Sequence, residues 1–365
     1  MKINKIEVWN FEPKFRDGPY AMSHVVQECA YGRIICVHTQ TGISGLGEIV
    51  LSPSLSEADR LERISDEPDF LSVFIGHNID SIADFSKKMQ QVDSWQGIAF
   101  GLETAYFDIQ RQQKNCSFAD ILGGAITEDI NDYFSISESS LDRVRGRLEL
   151  AGPERTVIQL KLGVGSLKDD EAQIKTVLDG TTSHQTLLAD ANGGWSLDDA
   201  LEMSAKIHDP RLVWEEPCKL YEDNITVARA TATPVMLDGQ SCKTISAARK
   251  AIADNIAASI CIKPALIGGL TLAREVRDLC VKTGIRMRID GPWCGDIASA
   301  AIINLALGAP KELLIAGCDL REPLTIEPNL EGVYAPAPAR IATPVIGFDI
   351  DRVRNSLGTP EATYG

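Results

Sequence analysis

Residues 186–195 read TLLADANGGW, residues 212–217 LVWEEP and residues 234–240 PVMLDGQ. Each contains a short apolar run, of strand-like composition, that closes on an acid: Asp190, Glu215 and Asp238. Two flanking runs, VIQLK at 157–161 and SICIKP at 259–264, have the same form but end on lysines, Lys161 and Lys263. The five charged residues follow one another at intervals of 23 to 29 residues, the length of one strand plus its crossover helix. Working outward, the same rhythm predicts strands at Asp132–Ile136, Val157–Leu162, Thr186–Asp190, Leu212–Glu215, Val235–Asp238, Ser259–Ile262, Arg286–Asp290 and Leu313–Ala316. Helical patterns lie between most of them, as at Asp169–Asp179, Leu197–Lys206, Ile245–Ala253 and Leu270–Thr283. Eight strands joined by crossover helices predict an α/β chain closed into a (β/α)₈ TIM-type barrel rather than an open sheet.

The first third has another character. Ile3–Trp9 alternates as a strand does, Arg33–Thr41 does so again, and the turn Gly42–Gly47 leads into a third run ending at Val50. From Ser81 to Lys114 the pattern is helical, with Ala99, Leu102, Ala105, Tyr106 and Ile109 on one face. This predicts an α+β unit ahead of the barrel. The tail after Arg321 is rich in proline and poor in strand patterns.

Composition narrows the function. With 365 residues, 44% hydrophobic and 24% charged, the chain can bury a large core. A formal charge of −15 argues against nucleic acid and against an anionic membrane surface. An anionic substrate would then need a local cation, and a bound metal is one candidate. Nine cysteines stand singly, without CxxC spacing, which reads as reduced thiols in a cytoplasmic protein. The longest apolar stretch, Ile297 to Ala309, is too short to span a bilayer. The five histidines, including His24, show no clustered or Asp-paired arrangement, and read as structural or surface residues.

In a (β/α)₈ barrel the carboxyl ends of the strands share one mouth. A single acid there commonly caps the next helix. Three in succession, between two lysines, repel one another unless a cation neutralises them. Oxygen-only ligands suit a hard ion such as Mg²⁺. Lys161 and Lys263 project into the same mouth, where desolvation and a nearby metal would lower their pKa values and make them bases.

In their order and spacing, LKLG, LLADANGGW, VWEEP, PVMLDG and CIKPALIGGL resemble the enolase superfamily, in its muconate lactonizing enzyme-like group with a lysine pair. The helix GIAFGLETAYFDIQRQQ followed by FADILGG resembles that family's junction between cap and barrel, so the likeness runs over essentially the whole chain. The resemblance implies a cap at 1–125, a barrel at 126–320, open to modification at its first units, and a segment 321–365 that returns to the cap. It implies one Mg²⁺ on Asp190, Glu215 and Asp238, Lys161 and Lys263 as acid/base pair, Glu216 beside the ligands, and a homo-oligomer. Superfamily sites of this kind join a lysine or histidine base to Mg²⁺. Two departures stand out. The family's lysine-x-lysine is Gln159-Leu160-Lys161 here, and its Asp-Glu-Ser is Asp238-Gly239-Gln240. The seventh-strand histidine of mandelate racemase-type members is replaced by Asp290.

DGPYAMSH, IQLKLG and DGPWCGDIASAA are similar to members acting on proline derivatives, hydroxyproline betaine and proline betaine epimerases, and more loosely to cis-3-hydroxyproline dehydratases. Trp293 offers an aromatic face to a substituted ammonium, and Asp290 and Asp319 could add charge complementarity. Tyr20, Gln159 and Asn192 complete the expected substrate contacts, with lid loops around Tyr20 and Ser52–Ser56. The implied reaction removes the proton α to the carboxylate of a small-molecule substrate and returns it on the other face. That makes the chain an isomerase, a racemase or epimerase. With a β-hydroxyl on the substrate the same intermediate makes it a lyase. A metal-binding barrel without turnover is the alternative that the missing lysine at 159 favours.

Overall fold

The computed structural model describes residues 1–23, 25–53, 55–89, 95–317, 320, 323–325, 336–337, 340–342 and 350–365. Asp319 and His24 lie outside the described residues, as does part of the expected 321–365 segment.

The N-terminal unit starts with β1 (Ile3–Phe11), the hairpin β2 (Tyr20–Met22) and β3 (Val25–Gln27), then β4 (Gly32–Thr39) and β5 (Ser44–Val50). Helices α1 (Glu57–Ser72), α2 (Ser81–Met89), α3 (Gln96–Lys114) and α4 (Phe118–Ile121) follow. Strands β1, β4 and β5 form the expected antiparallel meander. Ile35, Val37 and Ile49 from the sheet pack with Ile98, Leu102, Ala105 and Ile109 from α3 in one core.

Glycine sets how closely α3 approaches β5. A Cβ on Gly47 would stand 1.9 Å from the Gly101 carbonyl oxygen, and one on Gly45 2.2 Å from that of Ala105. The two backbones touch, so no side chain fits between them. Gly47→Ala is expected to lower stability by about 3 kcal/mol through overpacking. A thermal melt indistinguishable from the parent would show that the helix can move aside.

The second unit runs β6 (Asp129–Asn131), β7 (Tyr133–Ile136), α5 (Leu141–Ala151), β8 (Val157–Lys161), α6 (Leu167–Gly180) and β9 (Thr186–Asp190). It continues α7 (Leu197–Lys206), β10 (Leu212–Glu215), α8 (Tyr221–Ala230), β11 (Val235–Leu237), α9 (Ile245–Asp254) and β12 (Ser259–Ile262). Last come α10 (Pro264–Ile267), α11 (Leu270–Thr283), β13 (Arg286–Ile289) and α12 (Asp296–Ala306). Strands β7 to β13 form one parallel sheet in chain order, seven strands in all. Ser166 and Ser196 cap α6 and α7 with reciprocal Ser–Asp boxes, which fixes where those helices begin.

The eighth expected strand, Leu313–Ala316, is not a regular strand. It bonds to both edges of the sheet instead: Ile315 N donates to Met287 O, and Tyr133 N to Gly317 O. These single bridges, on β13 and beside β7, close the ring. At this seam Gly317 packs against Ile130, whose Cδ1 would have to move for a Cβ that would otherwise stand 2.4 Å away.

The C-terminal part contributes β14 (Pro336–Ala337) and β15 (Arg340–Ala342), which pair with β6, then α13 (Ile350–Leu357) and β16 (Ala362–Tyr364). Strand β16 pairs antiparallel with β1, and Trp9 Nε1 donates to Gly358 O at 2.9 Å. Two buried glutamates of the N-terminal unit tie it to barrel helices. Glu48 accepts from Gly295 N and Ala298 N at the start of α12, and Glu103 from Thr271 N at the start of α11. Each places a carboxylate at the positive end of a helix dipole. The described cysteines are all free thiols. Among the described residues no helix is long and apolar enough to cross a membrane.

Candidate active site

Parallel register puts the functional side chains side by side. Lys161 is level with Asp190, and Asp190 with Glu215, across neighbouring strands. Asp238 follows the last residue of β11, and Lys263 the last of β12. One carboxylate oxygen from each of Asp190, Glu215 and Asp238 lies within 4.8 Å of the others, and all three residues are buried. Oxygen-only donors gathered so closely suit a hard divalent cation. The fit has a second sign: Asp238 Oδ1 is buried with no hydrogen-bond partner among the described residues. A buried carboxylate oxygen left in that state is costly, and a bound cation satisfies it.

Two of the same carboxylates hold the lysines. Lys161 Nζ donates to Asp190 Oδ2 at 2.6 Å and Lys263 Nζ to Asp238 Oδ2 at 2.7 Å. The lysines arise from β8 and from the end of β12, with the three acid-bearing strands between them. In the chain without a metal, these contacts decide the lysines' pKa values. Burial pulls both ammonium groups down, but Asp190 beside Lys161 and Asp238 beside Lys263 outweigh it, so the net shift in the chain alone is upward. The expected lowering includes the charge of a nearby metal, which would oppose the pull of these two carboxylates.

Gln159, where the family pattern has lysine, is 2% exposed. Its Nε2 bridges Asp190 Oδ2 and Glu215 Oε2, at 3.0 Å each, and Ser135 Oγ donates to its Oε1. Asn192 has a left-handed backbone (φ 48°), which lets its own N–H reach Asp190 Oδ1 at 2.8 Å. Both side chains serve the acids directly, so they abut the expected ligand set rather than project away from it. Glu216 lies beneath, taking Asn224 Nδ2, Ser241 Oγ and Asp238 N. Burial pushes its carboxyl up to about 8. Gly239 lies beside Lys263, and a Cβ there would stand in ordinary contact, 3.6 Å from its Cδ.

Tyr20 reaches over the mouth from the β2–β3 hairpin and hydrogen-bonds Ser135 Oγ at 2.7 Å. Its ring stacks on Phe15 (centroids 5.4 Å apart) and meets Trp293 edge-on at 5.5 Å. The structure thus groups Tyr20 and Trp293 in one aromatic cluster beside a small cavity. Asp290 is placed differently from a cavity wall. It is 1% exposed, and its carboxylate is engaged by Tyr133 Oη, Cys261 Sγ and the Arg288 Nε, at 2.9, 3.0 and 3.0 Å.

Arg288 is the residue that sequence reasoning passed over. It is 1% exposed inside the barrel and grips both oxygens of Glu215, Nη1 to Oε2 at 2.7 Å and Nη2 to Oε1. Tyr133, Asp290, Arg288 and Glu215 therefore form one buried chain of contacts below the acids. The available signal was RMRID at 286–290, where an arginine and an acid of opposite charge stand two apart on a strand that should be apolar.

Comparison with known proteins fits this arrangement. The family described as "Enolase C-terminal domain-like" matches residues 142–344, and "Mandelate racemase / muconate lactonizing enzyme, N-terminal domain" matches residues 5–123. The chain is 28% identical to a cis-3-hydroxy-L-proline dehydratase of Roseibium aggregatum, covering 100% of both chains. It is 26% identical to an N-succinylamino acid racemase of an Amycolatopsis species, covering 65% of each. A mandelate racemase/muconate lactonizing enzyme from Roseovarius nubinhibens superposes with a TM-score of 0.86 at 26% identity, over 100% of this chain and 98% of the other. With the cap, the parallel barrel and the buried acid cluster in place, the chain belongs to the enolase superfamily, as an enzyme of its mandelate racemase/muconate lactonizing enzyme group.

Proposed function

We propose that the chain is a two-base racemase or epimerase that moves the proton α to a carboxylate of an amino-acid derivative, on one Mg²⁺ held by Asp190, Glu215 and Asp238. The observation that carries this reading is the pair Lys161 and Lys263, borne on strands either side of the acid cluster. The ion, when bound, would hold the substrate carboxylate and stabilise the negative charge that develops on it. One lysine takes the proton from one face of the α-carbon and the other delivers a proton to the opposite face, which inverts the centre. Both pKa values are tied to Asp190 and Asp238, so metal occupancy and lysine basicity are linked. In this reading residues 1–125 and 321–365 cover the mouth of a barrel spanning 126–320, and the Tyr20 hairpin excludes water. The Tyr20–Trp293 cluster supports a proline-type amino acid or betaine, whose ammonium an aromatic face attracts.

A second reading, dehydration of a cis-3-hydroxyproline-type substrate, is favoured by the full-length likeness to the Roseibium enzyme. It uses the same proton abstraction, followed by loss of the β-hydroxyl as water. Proton NMR in D₂O with Mg²⁺ and a panel of proline, hydroxyproline and betaine substrates separates the two. Epimerisation is expected to place deuterium at Cα with no loss of water. A stoichiometric imine or keto product would sink the epimerase reading, and no exchange with any carboxylate would sink both.

A further inference from the structure

The β2–β3 hairpin of the cap meets the barrel through hydrogen bonds that lead to different places. Ser137 Oγ donates to Ala21 O at 2.6 Å, and that contact goes no further inward. Tyr20 Oη bonds Ser135 Oγ at 2.7 Å, and Ser23 Oγ donates to Asn192 O at 3.1 Å. These two contacts begin separate arms that converge on Asp190.

The first arm has a fixed direction. A serine hydroxyl carries one hydrogen, and that of Ser135 goes to Gln159 Oε1 at 3.1 Å, an atom that can only accept. Tyr20 therefore donates to Ser135. The amide nitrogen of Gln159 faces inward and commits its two N–H groups to Asp190 Oδ2 and Glu215 Oε2, at 3.0 Å each. The second arm runs through the backbone. Ser23 and Gln240 Nε2 (2.8 Å) hold the carbonyl of Asn192. Asn192 in turn gives Asp190 two donors, N to Oδ1 at 2.8 Å and Nδ2 to Oδ2 at 3.1 Å.

The direction of the first arm matters most with a cation in place. In the chain alone, the two carboxylates keep the nitrogen of Gln159 inward. With a cation on Asp190 and Glu215 that pull weakens, and an amide oxygen is itself a hard ligand. A turned amide would offer that oxygen to the ion, in competition with the substrate carboxylate. While Tyr20 donates to Ser135, the turn would cost the hydroxyl of Ser135 its acceptor, so a seated hairpin opposes it.

We propose that Ser135 and Ser23 are positioning residues through which the seating of the cap hairpin and the filling of the metal site favour each other. This rests on the proposed function, which puts the ion on Asp190 and Glu215. Such coupling is reciprocal: the factor by which a seated hairpin tightens Mg²⁺ is the factor by which Mg²⁺ holds the hairpin down.

The test is amide hydrogen exchange of β2 and β3 in the full-length protein, with and without saturating Mg²⁺, beside calorimetric titration with Mg²⁺. In the parent, Mg²⁺ is expected to slow exchange of the hairpin about fivefold, the size of one net hydrogen bond. In the S23A/S135A double variant the slowing should vanish, and Mg²⁺ should bind about fivefold more weakly. S135T keeps the hydroxyl and should keep the response that S135A loses, which preserves the comparison should the double variant fail to fold. S137A removes the contact that leads nowhere inward. Its hairpin should exchange faster than the parent's without Mg²⁺, yet still be slowed by the ion, which a merely structural role of the serines would not distinguish. A hairpin that ignores Mg²⁺ in the parent, or is slowed equally in the S23A/S135A variant, would overturn the inference. So would a response lost in S135T or S137A as fully as in S135A. In each of these cases Mg²⁺ binding by the parent leaves the proposed function standing, whereas a parent that binds no Mg²⁺ would overturn both.

Discussion

Replacing Lys263 or Lys161 by alanine is expected to reduce inversion at the α-carbon by about a thousandfold or more, the upper range for loss of a general acid/base group. The two variants should fail in complementary ways. On the proposed two-base reaction each lysine serves one face, so in Lys263→Ala the enantiomer whose proton faces Lys161 should still exchange with D₂O, without inverting, while its mirror image should not exchange. Lys161→Ala should show the opposite preference. Each lysine donates to a carboxylate oxygen, Asp190 Oδ2 or Asp238 Oδ2, so its removal leaves the acids themselves in place. Mg²⁺ binding followed by calorimetry should therefore persist in both variants. The measurement is deuterium incorporation into each enantiomer separately. Exchange of the same enantiomer by both variants, or inversion by either at the parent rate, would be incompatible with two bases on opposite faces.

Much of this site was legible because charge interrupts apolar runs at a fixed place. An acid or lysine at the end of an otherwise buried strand has few structural uses, and five of them one βα unit apart leave little freedom in where they meet. The parallel register then does what the spacing implied, setting Lys161 beside Asp190 and Asp190 beside Glu215. Other features depended on contacts between residues far apart in the chain. Tyr20 meets Ser135 across 115 residues, and Glu48 meets Gly295 across 247, so no local pattern marks either pair. Helix α1 was missed for a different reason: it buries only Glu67 and Leu71 and contains Pro68, so its apolar periodicity is faint. The eighth stave was read as a strand from composition, whereas the seam is closed by isolated bridges around Gly317. That Lys161 sits directly on Asp190 and Lys263 on Asp238 was not legible either, because proximity is not a property of the sequence alone.

Replacing Arg288 by methionine should lower the stability of the metal-free protein by about 3–5 kcal/mol, the usual cost of stranding a buried charge by removing its partner. Glu215 is wholly buried, and burial pushes its carboxyl upward against the opposing charge of Arg288. Without Arg288 that opposition is gone, and Asp290 loses its counter-charge as well. The pH dependence has a definite sign. An acid whose folded pKa lies above its unfolded value binds a proton that the unfolded chain has released, so stability falls as pH rises between the two values. The deficit of Arg288→Met should accordingly be small near pH 5 and grow toward pH 8. Mg²⁺ on the proposed site would bring positive charge back to the same carboxylate, so it should raise the melting temperature of the variant more than that of the parent at pH 8. It should do so less at pH 6, where Glu215 must first give up a proton. Denaturation with and without Mg²⁺ at the three pH values decides the matter. If the variant melts like the parent and Mg²⁺ shifts both equally, then Arg288 is not the counter-charge of the proposed metal ligand Glu215, and the buried chain from Tyr133 to Glu215 only fills the barrel.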